Sequence, residues 1–250
     1  AGMARAGKKP IVASPASFLT MRGIEQIKVD VAYSHTNVIL LGVSGGLSYG
    51  ALGMTHHSLQ DIAALNAIPG IDIMIPADRL ESVEIMEELM RNPRPAYVRI
   101  GRNAVPDVYR EKAGYLPGKA SVVHEGNDAS IIATGETVFF AQQAAEILKK
   151  TGIFIRVLDM HTIKPFDVEA VKNAADTGFV LTMEEHSVFG GLGSIVAGIL
   201  AQYRPTKMKI LAIPDEPAVA GNSAEVFYYY GITAENAVRI IREAIRKNDV

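Results

Sequence analysis

The residues best suited to chemistry in this chain follow a short apolar run. Val38-Ile39-Leu40-Leu41 leads into G-V-S-G-G-L-S-Y-G-A-L-G-M-T-H-H, residues Gly42 to His57. A glycine-rich segment at the carboxyl end of a strand lies where open α/β sheets bind ligands. Its glycines let the backbone approach a ligand closely or take a positive φ. His56 and His57 offer acid–base groups, or hydrogen bonds to a substrate oxygen. The same residues also fit a plain turn with one histidine capping a helix. Two adjacent histidines make no metal site without further ligands at chelating spacing.

Three other constellations compete with it. Arg99 and Arg102, with Asn103 beside the second, follow an apolar strand, where a guanidinium can clamp a phosphate in a bidentate fork. On spacing alone, solvated surface arginines are the better reading of both. Phe189-Gly190-Gly191-Leu192-Gly193-Ser194 sits between a strand and a helix, as a phosphate cradle would. It lacks the Lys-Ser/Thr of a P-loop and the dinucleotide fingerprint, and close helix–strand packing explains its glycines equally well. Glu184-Glu185-His186 ends an apolar strand and reads as a hydrogen-bond network rather than a metal or acid–base site.

The elements that must position these residues alternate short β-branched runs with longer amphipathic segments, the pattern of an α/β protein. Strands are expected at 10–13, 38–41, 71–75 and 96–100. A helix is expected from Phe18 to Val31, with Leu19, Ile24, Ile27 and Val31 on one face. Ser58 and Asp61 are expected caps of a short helix, and Asp78 caps Leu80–Met90, whose Val83, Met86 and Met90 form an inward stripe. Residues 101–119, with Pro106, Gly114, Pro117 and Gly118, read as a linker. A second α/β unit follows, with strands near 120–124, 129–134, 153–158, 178–183 and 207–212. Its helices fall near 136–150, 167–176, 190–203 and 233–247. Such alternation favours mainly parallel sheets, and two domains result, 1–118 and 119–250.

Composition narrows the function class. The chain has 250 residues, 48% of them hydrophobic, a net charge of −2 and no cysteine. Lys and Arg are scattered, which argues against a nucleic-acid surface. No apolar run approaches a membrane span. Without cysteine there is no disulfide, thiolate metal site or thiol nucleophile, which suits a cytoplasmic protein. Ala1 to Gly7 reads as the tail of a helix already under way, as in a truncated chain.

Specific text then narrows it further. The run G-M-T-H-H-S-L-Q-D-I-A, followed by A-I-P-G and P-A-D, resembles the transketolase pattern G-x-T-H-Q…E-D-I-A…I-P-x…P-A-D. V-R-I-G-R, D-M-H-T-I-K-P-F-D, M-E-E-H and G-G-L-G-S extend the likeness over nearly the whole chain. The resemblance implies an N-terminally incomplete pyrimidine-binding domain followed by a transketolase C-terminal domain. It implies transfer of a two-carbon ketol unit from a ketose to an aldose with thiamine diphosphate. It places Phe18 on the aminopyrimidine ring, Met21 near that ring, His56 on substrate hydroxyls as the catalytic histidine, and Arg102 on a sugar phosphate. His57 occupies the usual glutamine position and is a further substrate candidate; no metal ligand is assigned.

Departures from the family pattern refine these expectations. Leu52 stands where an aspartate usually reads a substrate hydroxyl, and Ser44 where many members have a histidine. Loss of such an acceptor removes discrimination, so the substrate departs from the standard pentose phosphate. The glutamate that protonates the pyrimidine belongs upstream of Ala1, and the G-D-G…N motif for Mg²⁺ and diphosphate belongs to an N-terminal half. The expected assembly is therefore an N-terminal transketolase subunit with this one, dimerising through this half. Deoxyxylulose phosphate synthase, an E1 β subunit of a 2-oxo acid dehydrogenase and a non-catalytic partner subunit are the alternatives.

Overall fold

A computed structural model describes residues 1–246. The short helix α1 (Gly2–Arg5) precedes β1 (Ile11–Pro15) and α2 (Ala16–Gln26). The helix then widens into a π-helical stretch, Ile27–Tyr33, where one α-helix to Val31 is expected. The wider turn brings Ile27, Val31 and Ala32 together onto the core; the five-residue step from Ile27 to Ala32 is one that an α-helical repeat does not align. Next come β2 (Ile39–Val43), a 3₁₀ stretch Gly50–Thr55, α3 (Asp61–Asn66), β3 (Asp72–Met74), α4 (Arg79–Arg91) and β4 (Ala96–Arg99).

Beyond residues 101–119 the chain forms β5 (Ser121–His124), β6 (Ala129–Ala133), α5 (Thr137–Lys149), β7 (Ile155–Asp159) and β8 (Thr162–Lys164). Then follow α6 (Val168–Ala175), β9 (Phe179–Ser187), α7 (Leu192–Tyr203), β10 (Lys207–Ile213), α8 (Ser223–Tyr229) and α9 (Ala234–Arg246). Two five-stranded sheets result, ordered β1-β2-β4-β3-β8 and β10-β9-β6-β7-β5. Each is parallel except for one edge: β8 runs antiparallel to β3, and β5 antiparallel to β7.

β8 is the element that sequence reasoning misses, and it ties the two halves together. Three residues have no periodicity of their own; they become a strand because β3, far earlier in the chain, supplies the ladder. Lys164 Nζ donates to the carbonyls of Asn66 and Ile68, fixing this edge. One apolar cluster accordingly runs through both sheets, joining Ile73 and Tyr97 to Leu158, Ile163 and Val180. Helix α8 is a further element not expected from sequence, although its signal is local: Asn222 and Glu225 form a capping box, a pattern readable in the sequence.

Helix α4 corrects the expected orientation. Asp78 does cap it, accepting from the Glu81 amide at 2.9 Å. The buried face, however, carries Glu81, Ile85 and Leu89, while Val83 is 57% exposed, Met90 is also exposed and Met86 is half-buried. The helix turns a glutamate inward because Glu81 accepts the Ala77 amide at 2.7 Å. Burial, and the neighbouring Asp159, raise the Glu81 carboxyl well above its usual range, the direction that lessens the cost of turning it inward. Val83, Met86 and Met90 instead line an outward apolar groove of about 580 Å³.

Truncation distinguishes the two orientations. Ile85→Ala should cost about 2–5 kcal/mol of stability through the cavity it leaves. Val83→Ala should change it by less than about 0.5 kcal/mol, as exposed positions do. Urea denaturation of the two variants measures this, and a larger loss at Val83 would return the helix to the orientation expected from sequence.

Candidate active site

Strand β2 delivers the chain into the glycine-rich loop at the sheet's carboxyl edge. Gly42 must be glycine, since a Cβ there would lie 2.5 Å from the Tyr97 hydroxyl. Ser44 is buried with φ 57°, a left-handed conformation that a non-glycine residue holds only where surroundings enforce it. The enforcement is visible. The Gly45 amide donates to Ile100 O, and Gly46 and Ser58 exchange backbone hydrogen bonds across the loop's mouth. At Gly46, also left-handed, a Cβ would overlap the Glu185 carboxyl group. The loop is thus closed against β9 of the second sheet, with the Leu47 amide donating to Glu185 Oε1 at 2.5 Å.

Its far end meets the segment before α8. Ser223 Oγ donates to Leu47 O at 3.3 Å, and Gly50 packs so closely on Gly221 that a Cβ would lie 2.6 Å from its carbonyl oxygen. Gly53, at φ 67°, breaks the 3₁₀ stretch and turns the chain toward the histidines. Here His56 and His57 part. His57 is buried, its Nε2 3.1 Å from Gly50 O. Burial, the largest influence, lowers its pKa from 6.5 despite that bond, leaving a neutral imidazole inside the loop. The structure therefore does not join His57 to the other substrate candidates: it is buried against Gly50 O, whereas His56 is only half-buried.

His56 faces Phe18. Their ring centroids are 5.0 Å apart at 66°, an edge-to-face contact of the favoured kind. Thr55 Oγ1 lies 2.9 Å from His56 Nδ1, which leaves Nε2 for a ligand. Tyr49 meets His56 from another side, with centroids 5.3 Å apart, and Arg102 lies over the Tyr49 ring at 5.4 Å. Arg22, one turn beyond Phe18, covers the Phe18 ring at 4.3 Å. Phe18, His56 and Arg102, far apart in the sequence, are thus drawn onto one surface. Met21 lies on the same helix as Phe18, exposed, and Leu52 is exposed on the 3₁₀ stretch. Arg22 is legible from its i,i+4 spacing to Phe18; Tyr49 carries no comparable signal.

Arg99 overturns the expectation of a solvated arginine. It is 4% exposed, with Nε 3.6 Å from Asp61 Oδ2 and a donated bond of 2.6 Å to Glu185 O. Asp61 is likewise no cap: its side chain accepts from the Ile62 amide and from the Tyr97 hydroxyl at 2.7 Å. Ser58 instead forms the bridge to Gly46. Glu184 accepts from the Leu192 and Gly193 amides at 2.7 Å, so the acidic end of β9 is a hydrogen-bond network. The glycines after it are packing glycines, as at Gly193, where a Cβ would meet Ile210 at 2.6 Å. One cation cannot neutralise every carboxyl group around it. Burial, then the nearby Glu136, raise Glu185 to about 8 despite the opposing pull of Arg99.

The pyrimidine-binding domain of transketolase matches residues 1–108, and the transketolase C-terminal domain matches residues 118–237. A protein of Phocaeicola vulgatus, named as one subunit of an apulose-4-phosphate transketolase, is 50% identical over 99% of this chain and 80% of its own length. The chain belongs to the transketolase family. A solved structure described as a split-gene transketolase, inactive beta4 tetramer, superposes with a TM-score of 0.90 at 32% identity, covering 98% of this chain and 79% of that one. A 1-deoxy-D-xylulose-5-phosphate synthase of Heliobacterium modesticaldum is 34% identical over 97% of this chain but only 38% of its own length.

Membership in this family implies thiamine diphosphate dependence, and the residues present fit one part of that cofactor. Phe18 is a partly exposed aromatic, with Arg22 over one face at 4.3 Å and His56 at its ring, and an aromatic of this kind is the residue type on which a flat pyrimidine ring stacks.

The buried acids give this region a pH signature. A carboxyl group raised from 4.5 to about 8 in the fold stabilises fully below its unfolded value and loses that contribution as pH rises through the folded one. Unfolding free energy should therefore decline from about pH 5 to 8, and Glu185→Gln should make the decline shallower. Denaturation curves across this range report it; an unchanged slope would mean that Glu185 is ionised in the folded protein.

Proposed function

We propose that this chain is the C-terminal subunit of a split, thiamine-diphosphate-dependent transketolase that moves a two-carbon ketol unit between phosphorylated sugars. The observation that carries the reading is the convergence of Phe18, His56 and Arg102 on one surface in a chain of this family. Phe18 stacks on the aminopyrimidine, with Met21 bordering it one helical turn away. When bound, the cofactor supplies a nucleophilic carbon for attack on the ketose carbonyl. His56 Nε2 hydrogen-bonds the substrate hydroxyls and moves a proton at their oxygens. Arg102, exposed and forked, holds the terminal phosphate.

The second subunit is an N-terminal transketolase polypeptide, which holds Mg²⁺ and the diphosphate. That the relative from Phocaeicola vulgatus is itself named as one subunit of its enzyme supports a two-subunit assembly. That relative's named sugar, apulose 4-phosphate, makes a phosphorylated ketose the leading donor here too, and Leu52 in place of an acidic residue agrees with a non-standard sugar. Two copies of this half pair in the assembly. The outward apolar groove of Val83, Met86 and Met90 and the beta4 tetramer of the superposed protein favour self-association. The chain divides functionally near residue 118, with Phe18, His56 and Arg102 on the first part.

Cofactor binding tests the division of labour. By isothermal titration, the isolated chain with thiamine diphosphate and Mg²⁺ should show no submicromolar binding, and addition of the N-terminal subunit should produce it. Tight binding to the isolated chain would defeat the split assignment.

The histidines provide a separate test in the reconstituted enzyme. His56→Ala should lower kcat by about 10²–10⁴-fold, the range for acid–base groups. Arg102→Ala should raise KM for phosphorylated sugars and spare unphosphorylated ones. His57→Ala should act mainly by lowering the melting temperature, because it removes a buried partner of Gly50 O. A turnover loss at His57 exceeding that at His56 would reverse the two roles.

A further inference from the structure

We infer that Tyr49 is a positioning residue of the active site: its ring holds His56 and Arg102 in a fixed mutual arrangement. The inference rests on the reading of His56 and Arg102 given above. Its basis is geometric. One ring contacts both groups, His56 with centroids 5.3 Å apart at 69° and the Arg102 Cζ 5.4 Å from the ring centre. These two side chains come from different segments, the end of the glycine-rich loop and the turn after β4.

Arg102 needs such a support. Among the described residues it makes no salt bridge and no side-chain hydrogen bond, and it is exposed. An arginine without partners samples many rotamers, and that freedom is lost when it grips a phosphate. An aromatic face restricts it beforehand while leaving its planar fork free for oxygen ligands. His56, gripped edge-on between Phe18 and Tyr49, is similarly held with its ring plane defined.

Tyr49 is itself well anchored. It precedes the 3₁₀ stretch, where the Leu52 amide donates to its carbonyl at 3.1 Å. The next residue, Gly50, is pinned by His57 Nε2 at 3.1 Å and by the packing on Gly221. Ser48 before it is fixed by its Oγ donating to Gly45 O at 2.6 Å. The buried histidine and the second domain thus act on the site through Tyr49. The ring, and not the hydroxyl, makes both contacts, so phenylalanine should replace it and an aliphatic residue should not.

The experiment compares Tyr49→Phe and Tyr49→Leu in the enzyme reconstituted with its N-terminal subunit, using ribose 5-phosphate and ribose as acceptors. Tyr49→Leu should raise KM for ribose 5-phosphate about three- to tenfold, the scale of a lost cation–π contact with its ordering. Its KM for ribose should stay unchanged, and kcat for both should fall severalfold through His56. Tyr49→Phe should restore all three to within about twofold. In an Arg102→Ala background, Tyr49→Leu should add nothing to the KM, as coupled residues behave. In the isolated full chain, imidazole ¹H–¹³C spectra should show the His56 signals displaced in Tyr49→Leu and retained in Tyr49→Phe. Wild-type kinetics in Tyr49→Leu, with Arg102→Ala and His56→Ala still impaired, would overturn the role of Tyr49 alone. Equal losses on both acceptors in both variants would overturn it as well. If Arg102→Ala and His56→Ala were themselves unimpaired, the site reading would fail, and this inference with it.

Discussion

The contact on which the rest of this structure depends is the buried meeting of Arg99 with Asp61 and Glu185. Arg99 ends β4, Asp61 begins α3 and Glu185 belongs to β9, so one guanidinium joins the two sheets. Taking these groups out of water is costly, and the ion pair alone rarely repays it. Burial works against carrying every negative charge here, raising the carboxyl groups of both Glu185 and Glu136 above their usual range. The remaining lone pairs are used by backbone and hydroxyl donors, namely the amides of Leu47 and Ile62 and the Tyr97 hydroxyl. Removing any one member would strand the others, which makes the cluster a specific lock between domains.

The shape of the glycine-rich loop follows from that lock. Gly45 has no room for a Cβ because the Arg99 side chain passes against it, and Gly46 has none because of Arg99 and Glu185. The glycines thus serve the domain junction on one side and the accessible surface on the other. Because the loop rests on β9 and on the segment before α8, the second domain shapes a surface whose candidate residues all lie in the first. Phe18, Tyr49, His56 and Arg102 are then assembled mainly through ring faces and ring edges. Such contacts hold orientation while leaving polar atoms uncommitted, which suits groups that must engage a ligand.

Helix α4 shows the opposite balance. Its buried glutamate and its outward Val83, Met86 and Met90 invert the usual amphipathic arrangement. The inward glutamate belongs to a second acidic contact between domains: Tyr109 donates to Asp159 at 2.8 Å, and burial raises Asp159 to about 7. The apolar side is left to the surface, where the proposed subunit contact would give it a purpose. Both inversions come from the demands of interfaces, one within the chain and one proposed between chains.

The alternation of β-branched runs and amphipathic segments determined the α/β class, because strand and helix periods are local properties of the chain. The expected strands and helices of the second half, and the strands of the first, are in place for that reason. The motif T-H-H with I-P-G and P-A-D also sufficed to indicate the family. Only the tertiary structure decided the rest. β8 exists through its pairing with β3, and a three-residue segment cannot declare a partner so distant. Arg99 and Asp61 are buried because they pair with each other from separate elements and Arg99 also reaches Glu185 of the second sheet, whereas a charged residue read alone defaults to solvent. His56 and His57 are chemically identical in sequence; a turn at Gly53 sends one to the surface beside Phe18 and the other inward to Gly50. Tyr49 gains its place only when the loop and the turn after β4 converge, since side-chain orientation is set by the packing of the whole.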